Sequence, residues 1–255
     1  KIIEIYRRDI YKYMKAIKKV VNPNDLIVLI GGGEIGKGNT SYETKGIDEE
    51  VVKLAGKNIP NLLFIGLASS YSDSYYDLIK KIYKDLGCEC AYLKKKNIIN
   101  NPDIVKNKIN NADIIYIGGG DTIKLMDTVK SYGIDELLKS AYDRGAVLVG
   151  ISAGGIMLSR DGYSDSLILR GESDKYTFID GLGFTDISFC PHYNADDNKK
   201  KSLYSDLENT SKVVYGVENC CALEVVDDKI SIIRSRDGAN AWKIKYDKKI
   251  IEEEI

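Results

Sequence analysis

Residues 146–157 read Ala-Val-Leu-Val-Gly-Ile-Ser-Ala-Gly-Gly-Ile-Met, an apolar run that ends in a serine flanked by small residues. A run this apolar suits a strand covered on both faces, as in a parallel sheet. The glycines that follow suit a sharp turn into a helix. The same theme recurs upstream, where DLIVLI (25–30), NLLFIGLA (61–68), ECAYL (89–93) and ADIIYIG (112–118) are short apolar segments. Helical patterns lie between them near 47–57, 73–86, 102–110 and 122–144. Apolar strands alternating with helices predict an α/β fold with a mostly parallel sheet and helices on both faces.

The pattern changes after residue 185. ISFC, KVVYGVE, CALEVV, KISIIRS and AWKIKY follow one another, with turn signals at Asp227-Asp228 and Asp237-Gly238. These predict a strand-rich antiparallel C-terminal extension of one domain over residues 1–255 instead of a second domain. At the other end, Ile10, Met14, Ile17 and Val21 fall at helical spacing. They predict a helix over 1–21 packed on its own domain or on a second copy in a homodimer.

Composition narrows the function classes. A net charge of −1 offers no basic surface for nucleic acid or an anionic membrane. The 18 tyrosines therefore read as packing residues and not as a base-stacking platform. Five cysteines form no CxxC pair, and a single histidine cannot complete a usual zinc set, so neither a metal nor another cofactor is expected. No apolar run approaches the roughly 20 residues of a membrane span. The N-terminal segment lacks the apolar core of a signal peptide. Together these read as a reduced, cytoplasmic protein.

Three strands run into glycines: LIGGGEIG, YIGGGDT and VGISAGG. In an open parallel sheet such loops converge on the ligand crevice at the carboxyl ends of the strands. Gly31–Gly36 fits GxGxxG, but KGNTSYETKG after it is a poor helix start, and the next strand ends in Ser69-Ser70 where a ribose-binding acid would belong. A dinucleotide site is therefore not expected. In the second loop Asp121 suits a helix N-cap, and a carboxylate there repels phosphate. Gly150-Ile151-Ser152-Ala153-Gly154 fits the GxSxG nucleophile elbow, in which the Ala153 N–H can meet an oxyanion.

A serine nucleophile needs a base, and His192 is the chain's one histidine. It follows Pro191 at the end of an apolar run. The third group of such a relay orients the imidazole. Asp165 in DGYSDS and Glu218 at the end of VVYGVE are the two carboxylate candidates, with Glu218 preferred because a strand end holds its side chain more firmly.

GGG near the start, YIGGGDT, GISAGG, FCPHY and GVEN, in that order, resemble the peptidase E/cyanophycinase family of serine peptidases over about residues 25–235. The resemblance implies a class I glutamine amidotransferase-like, flavodoxin-like fold. It implies Ser152 as nucleophile, His192 as base, and an acid at Glu218 or Asp165. It also implies an oxyanion hole from the Gly119–Gly120 backbone and the Ala153 N–H. Many relatives carry Asn where this chain has Asp121. The best-known members cut after aspartate, so a small acidic peptide is the implied substrate, and Arg160, Arg170, Arg234 and Arg236 are the cations available to read it. An esterase or amidase on the same triad, or a silent binding module of the same fold, are the competing readings.

Overall fold

The computed structural model describes residues 26–36, 38–70 and 72–255. The helix expected over 1–21 lies outside the described residues. Five parallel strands make up most of a seven-stranded sheet: β1 (Leu26–Ile30), β2 (Asn61–Ile65), β3 (Glu89–Tyr92), β4 (Ile114–Ile117) and β5 (Val147–Ile151). β10 (Cys221–Val226) adds antiparallel to β1, and β11 (Lys229–Arg234) adds to β10, giving the order β11-β10-β1-β5-β4-β2-β3. The β10–β11 hairpin turns on Asp227 and Asp228, both at positive φ. Residues that tolerate this conformation favour such tight two-residue turns.

Continuous apolar strands are explained by what lies on each face. One face presents Leu29, Leu63, Ile115 and Leu148. It packs on α4 (Pro102–Asn110), α5 (Thr122–Ser131), α6 (Ile134–Asp143) and α7 (Ala153–Leu158). The other presents Val28, Phe64, Tyr116 and Val149 to α1 (Lys45–Leu54) and α2 (Ser72–Asp85). α3 (Lys95–Asn100) links β3 to α4. The helical pattern at 122–144 is two helices, not one, because Gly133 at φ 64° breaks it between α5 and α6.

A second sheet of six strands has the order β13-β12-β9-β8-β6-β7. It contains β6 (Asp161–Ser164), β7 (Thr177–Asp180), β8 (Ser188–Cys190), β9 (Val213–Val217), β12 (Ala241–Asp247) and β13 (Lys249–Glu254). Its β12 and β13 pairings are antiparallel, as the strand-rich extension predicts, and so is β6–β7, whereas β6–β8 and β8–β9 are parallel. The sheet also begins earlier than residue 185. β6 reads Asp-Gly-Tyr-Ser, which carries no apolar signal, and its buried Asp161 is satisfied by Ser188, Lys212 and Arg160. α8 (Ser166–Leu169) follows β6, and α9 (Asp197–Leu207) covers this sheet with Leu203 and Leu207.

One carboxylate is sealed under the main sheet. Asp48 in α1 is 1% exposed and accepts hydrogen bonds from Thr44 Oγ1 (2.7 Å), Tyr83 OH (2.8 Å) and Tyr42 OH (2.9 Å). Burial pushes its carboxyl up to about 6, and the three hydroxyl donors offset only part of that rise. A carboxyl raised in the folded state costs stability where it must ionise. The penalty is therefore present above about pH 6 and shrinks as the pH falls toward the unfolded value of 3.8. Asp48→Asn is expected to gain about 3 kcal/mol relative to the wild type between about pH 4 and about pH 7.5. Paired denaturant melts at the two pH values measure the gain, and a pH-independent difference would refute it.

Candidate active site

Ser152 leaves β5 and opens α7 at φ 54° and ψ −114°. Positive φ at a non-glycine residue costs about 1–3 kcal/mol, held here by tight surroundings. A side chain on Gly150 would run into the Gly154 carbonyl group, and one on Gly154 into the Ile117 carbonyl. Only small residues allow the turn that lifts Ser152 off the strand. His192, after β8 and Pro191, also sits at φ 54°.

These two residues meet. His192 Nε2 lies 2.9 Å from Ser152 Oγ, and His192 Nδ1 lies 2.8 Å from Asn219 Oδ1. An amide oxygen only accepts, so Nδ1 carries the proton and Nε2 is left to accept from the serine hydroxyl. Asn219 is held in turn, its N–H donating to Asn194 Oδ1 at 3.0 Å. Burial lowers the imidazole from its usual range, with the Lys199 ammonium adding to the effect. The Asn219 hydrogen bond and the more distant Asp165 charge act in the opposite sense.

The backbone fixes all three groups against one strand end. Ser152 N–H donates to the Ile30 carbonyl (3.0 Å), His192 N–H to Gly31 (2.8 Å) and Cys220 N–H, next to Asn219, to Gly32 (3.0 Å). A methyl group on Gly31 would overlap the Glu218 carbonyl. One on Gly32, at φ +154°, would overlap Asn219 Oδ1 and the His192 ring. The first glycine loop thus serves close backbone approach to His192 and Asn219.

Neither carboxylate candidate touches the imidazole. Glu218 turns toward β12, accepting from Trp242 Nε1 at 2.9 Å and from the Asn240 N–H at 3.1 Å. Asp165 stands half-buried ahead of α8, and both ring nitrogens of His192 are engaged elsewhere. The contact expected of Glu218 or Asp165 belongs to Asn219. A search confined to carboxylates passes over it, although it sits one position after Glu218.

The second glycine loop faces the serine. A side chain on Gly119 would meet Ser152 Cβ at 3.3 Å, and one on Gly120, at φ +137°, would strike the Ala68 carbonyl. The Gly119 N–H lies against the Tyr75 hydroxyl, a neighbour with no signal in the sequence. Ala153 is buried as the first residue of α7. Asp121 caps α5 by accepting from the Lys124 N–H (3.1 Å) and pairs with Arg170 Nε (2.7 Å). Burial alone would raise its carboxyl, but Arg170 and the cap hold it below the usual carboxylate range.

Each of the four arginines has a partner. Arg160 contacts Asp161 and Asp186, Arg170 contacts Asp121 and Glu172, Arg234 contacts Ala239 and Glu254, and Arg236 contacts Glu43. Among the described residues, no cluster of His, Cys, Asp and Glu side chains is placed to hold a metal ion. No helix among them is long and apolar enough to cross a membrane.

The model of peptidase family S51 matches residues 27–233. "Uncharacterized peptidase YgaJ" of Bacillus subtilis (strain 168) is 28% identical over 222 residues, covering 86% of this chain and 91% of the relative. "Peptidase E" of Shewanella denitrificans is 24% identical over 213 residues, covering 79% and 85%. The crystal structure of a peptidase from an acI-B1 Actinobacterium superimposes with a TM-score of 0.67 over 91% of this chain and 94% of that one, at 22% identity. That last likeness concerns the fold.

Proposed function

The chain belongs to peptidase family S51, and from that premise we propose a serine peptidase that cleaves a peptide or isopeptide bond through an acyl-enzyme on Ser152. The substrate is a small peptide, cut next to an aspartate as in dipeptidases of the peptidase E kind. The observation that carries this reading is the 2.9 Å contact between His192 Nε2 and the Oγ of a serine on a positive-φ turn.

Ser152 Oγ attacks the scissile carbonyl and passes its proton to His192 Nε2. The oxyanion is received by the N–H groups of Ala153 and of the Gly119–Gly120 loop, taking the place of the Tyr75 hydroxyl at the Gly119 N–H. The imidazolium gives its proton to the leaving amine as the C–N bond breaks. Water then attacks the acyl-enzyme, His192 takes the water's proton, and Ser152 leaves as the protonated alcohol. Asn219 holds Nδ1–H and so keeps Nε2 facing the serine. An acidic side chain of the substrate is met by Arg170 beside the Asp121 loop, in competition with Asp121.

A fluorophosphonate tests the nucleophile. One adduct per chain is expected, on Ser152, at a rate that follows the neutral imidazole. Because burial and Lys199 lower the imidazole, labelling stays fast below about pH 6.5, where free histidine is half protonated. It is lost only as the pH falls through the depressed value. An unlabelled Ser152, or a midpoint above the free-histidine value, would count against the scheme.

A further inference from the structure

Lys199 breaks several local rules at once. It lies in the first turn of α9, the end of a helix that disfavours cations, and is 5% exposed. Among the described residues no carboxylate lies within ion-pair distance of its ammonium. The Nζ instead donates to the Pro191 carbonyl at 2.7 Å and sits 5.5 Å from the centre of the Tyr176 ring. A buried ammonium with no carboxylate in direct contact is expensive, and such local violations concentrate at functional sites.

What the ammonium touches gives the reason. Pro191 and His192 share one peptide group. Lys199 binds its carbonyl oxygen, while its N–H donates to the Gly31 carbonyl at 2.8 Å. The peptide plane that launches His192 at φ 54° is thereby clamped from both sides. We propose that Lys199 is a positioning residue for His192: its ammonium locks the Pro191–His192 peptide from the carbonyl side. This rests on the reading of His192 as the base for Ser152.

The charges around the ring come from several elements. Asp165, ahead of α8, favours the imidazolium, and Asn219, after β9, is neutral. Around Lys199 stand the Cys190 thiol at the end of β8, Asp196 at the cap of α9, and Tyr176, whose hydroxyl donates to Asp196 at 2.6 Å. Lys200 lies 4.1 Å over the Tyr193 ring. With an amide as third member, no carboxylate touches His192 to balance the ammonium. Burial, with Lys199 added to it, therefore lowers the imidazole from its usual range.

The single histidine makes the test direct, because one imidazole signal appears in the nuclear magnetic resonance spectrum. Lys199→Gln removes the charge but keeps a donor for the Pro191 carbonyl, and Lys199→Met removes both. The His192 titration midpoint is expected to rise in both variants, with the acid limb of kcat/KM rising alongside it. kcat is expected to fall by up to about 10²-fold in Lys199→Met and less in Lys199→Gln. A midpoint unmoved in both, or a wild-type midpoint at or above about 6.5, overturns the proposal. A merely structural lysine would lower kcat with the midpoint unmoved. If Lys199→Met fails to fold, Lys199→Gln carries the comparison. A midpoint that rises in both variants of a protein that hydrolyses no peptide would instead refute the peptidase reading while keeping the coupling of Lys199 to the His192 ring.

Discussion

Ser152→Ala is expected to lower kcat for peptide hydrolysis by about 10⁴- to 10⁶-fold, with KM changed far less. The size follows from the role. Without Oγ no acyl-enzyme forms, and the remaining acceleration comes from the oxyanion donors and from substrate binding. His192→Ala is expected to cost a similar amount, because a hydroxyl without its proton acceptor at 2.9 Å is a poor nucleophile. The double variant should be scarcely worse than either single one, since residues acting as one unit are not additive. Steady-state kinetics on an aspartyl dipeptide or an N-terminal aspartyl amide, with circular dichroism to confirm folding, decide the point. Full activity in either single variant would remove Ser152 and His192 from the mechanism.

Gly32→Ala is expected to be nearly as damaging without touching a reacting atom. The added methyl would overlap Asn219 Oδ1 and the Nδ1 and Cε1 atoms of His192. Those neighbours belong to a hydrogen bond of 2.8 Å and cannot give way without breaking it. The imidazole then loses the partner that sets its tautomer and tilts away from Ser152. Misplacement by about 1 Å costs about 10²-fold in rate, and loss of the tautomer costs more, so a fall in kcat of about 10²- to 10⁴-fold is expected. Positive φ at this position adds strain to any side chain. Gly38→Ala is the control. That glycine is also at positive φ but would meet nothing within 4 Å, so its activity should stay near the wild-type level. An equal loss in the two variants would show that strain, not crowding of the relay, governs the effect, and wild-type activity in Gly32→Ala would refute it.

Much of this architecture is written in hydrophobic pattern. The five parallel strands are apolar because both faces are covered, and that pattern is local and strong. The elbow and the lone histidine are legible for a different reason: a serine between glycines at a strand end fits a compact motif, and the chain holds one histidine. β6 and β7 are not legible, since Asp161 and Ser164 are buried by polar pairing with distant residues that no window of sequence brings together. Asn219 carries no charge that would mark it in the sequence, yet its amide oxygen orients Nδ1–H as a carboxylate would. Tyr75 and Lys199 escape the sequence for the same physical reason: each acts through a backbone group on another element.

The carbonyls of Ile30, Gly31 and Gly32 each hold a different segment of the site. Three successive backbone oxygens thus serve as a ruler, and the spacing between nucleophile, base and orienting amide inherits the repeat of a single strand end. That strand lies between β5 and β10, inside the sheet. The relay therefore has the stiffness of the sheet's interior, although its members come from loops scattered over nearly 70 positions. Slippage of any one segment would first have to tear a register that the fold itself depends on. Insertions can lengthen the intervening chain without moving the gauge marks.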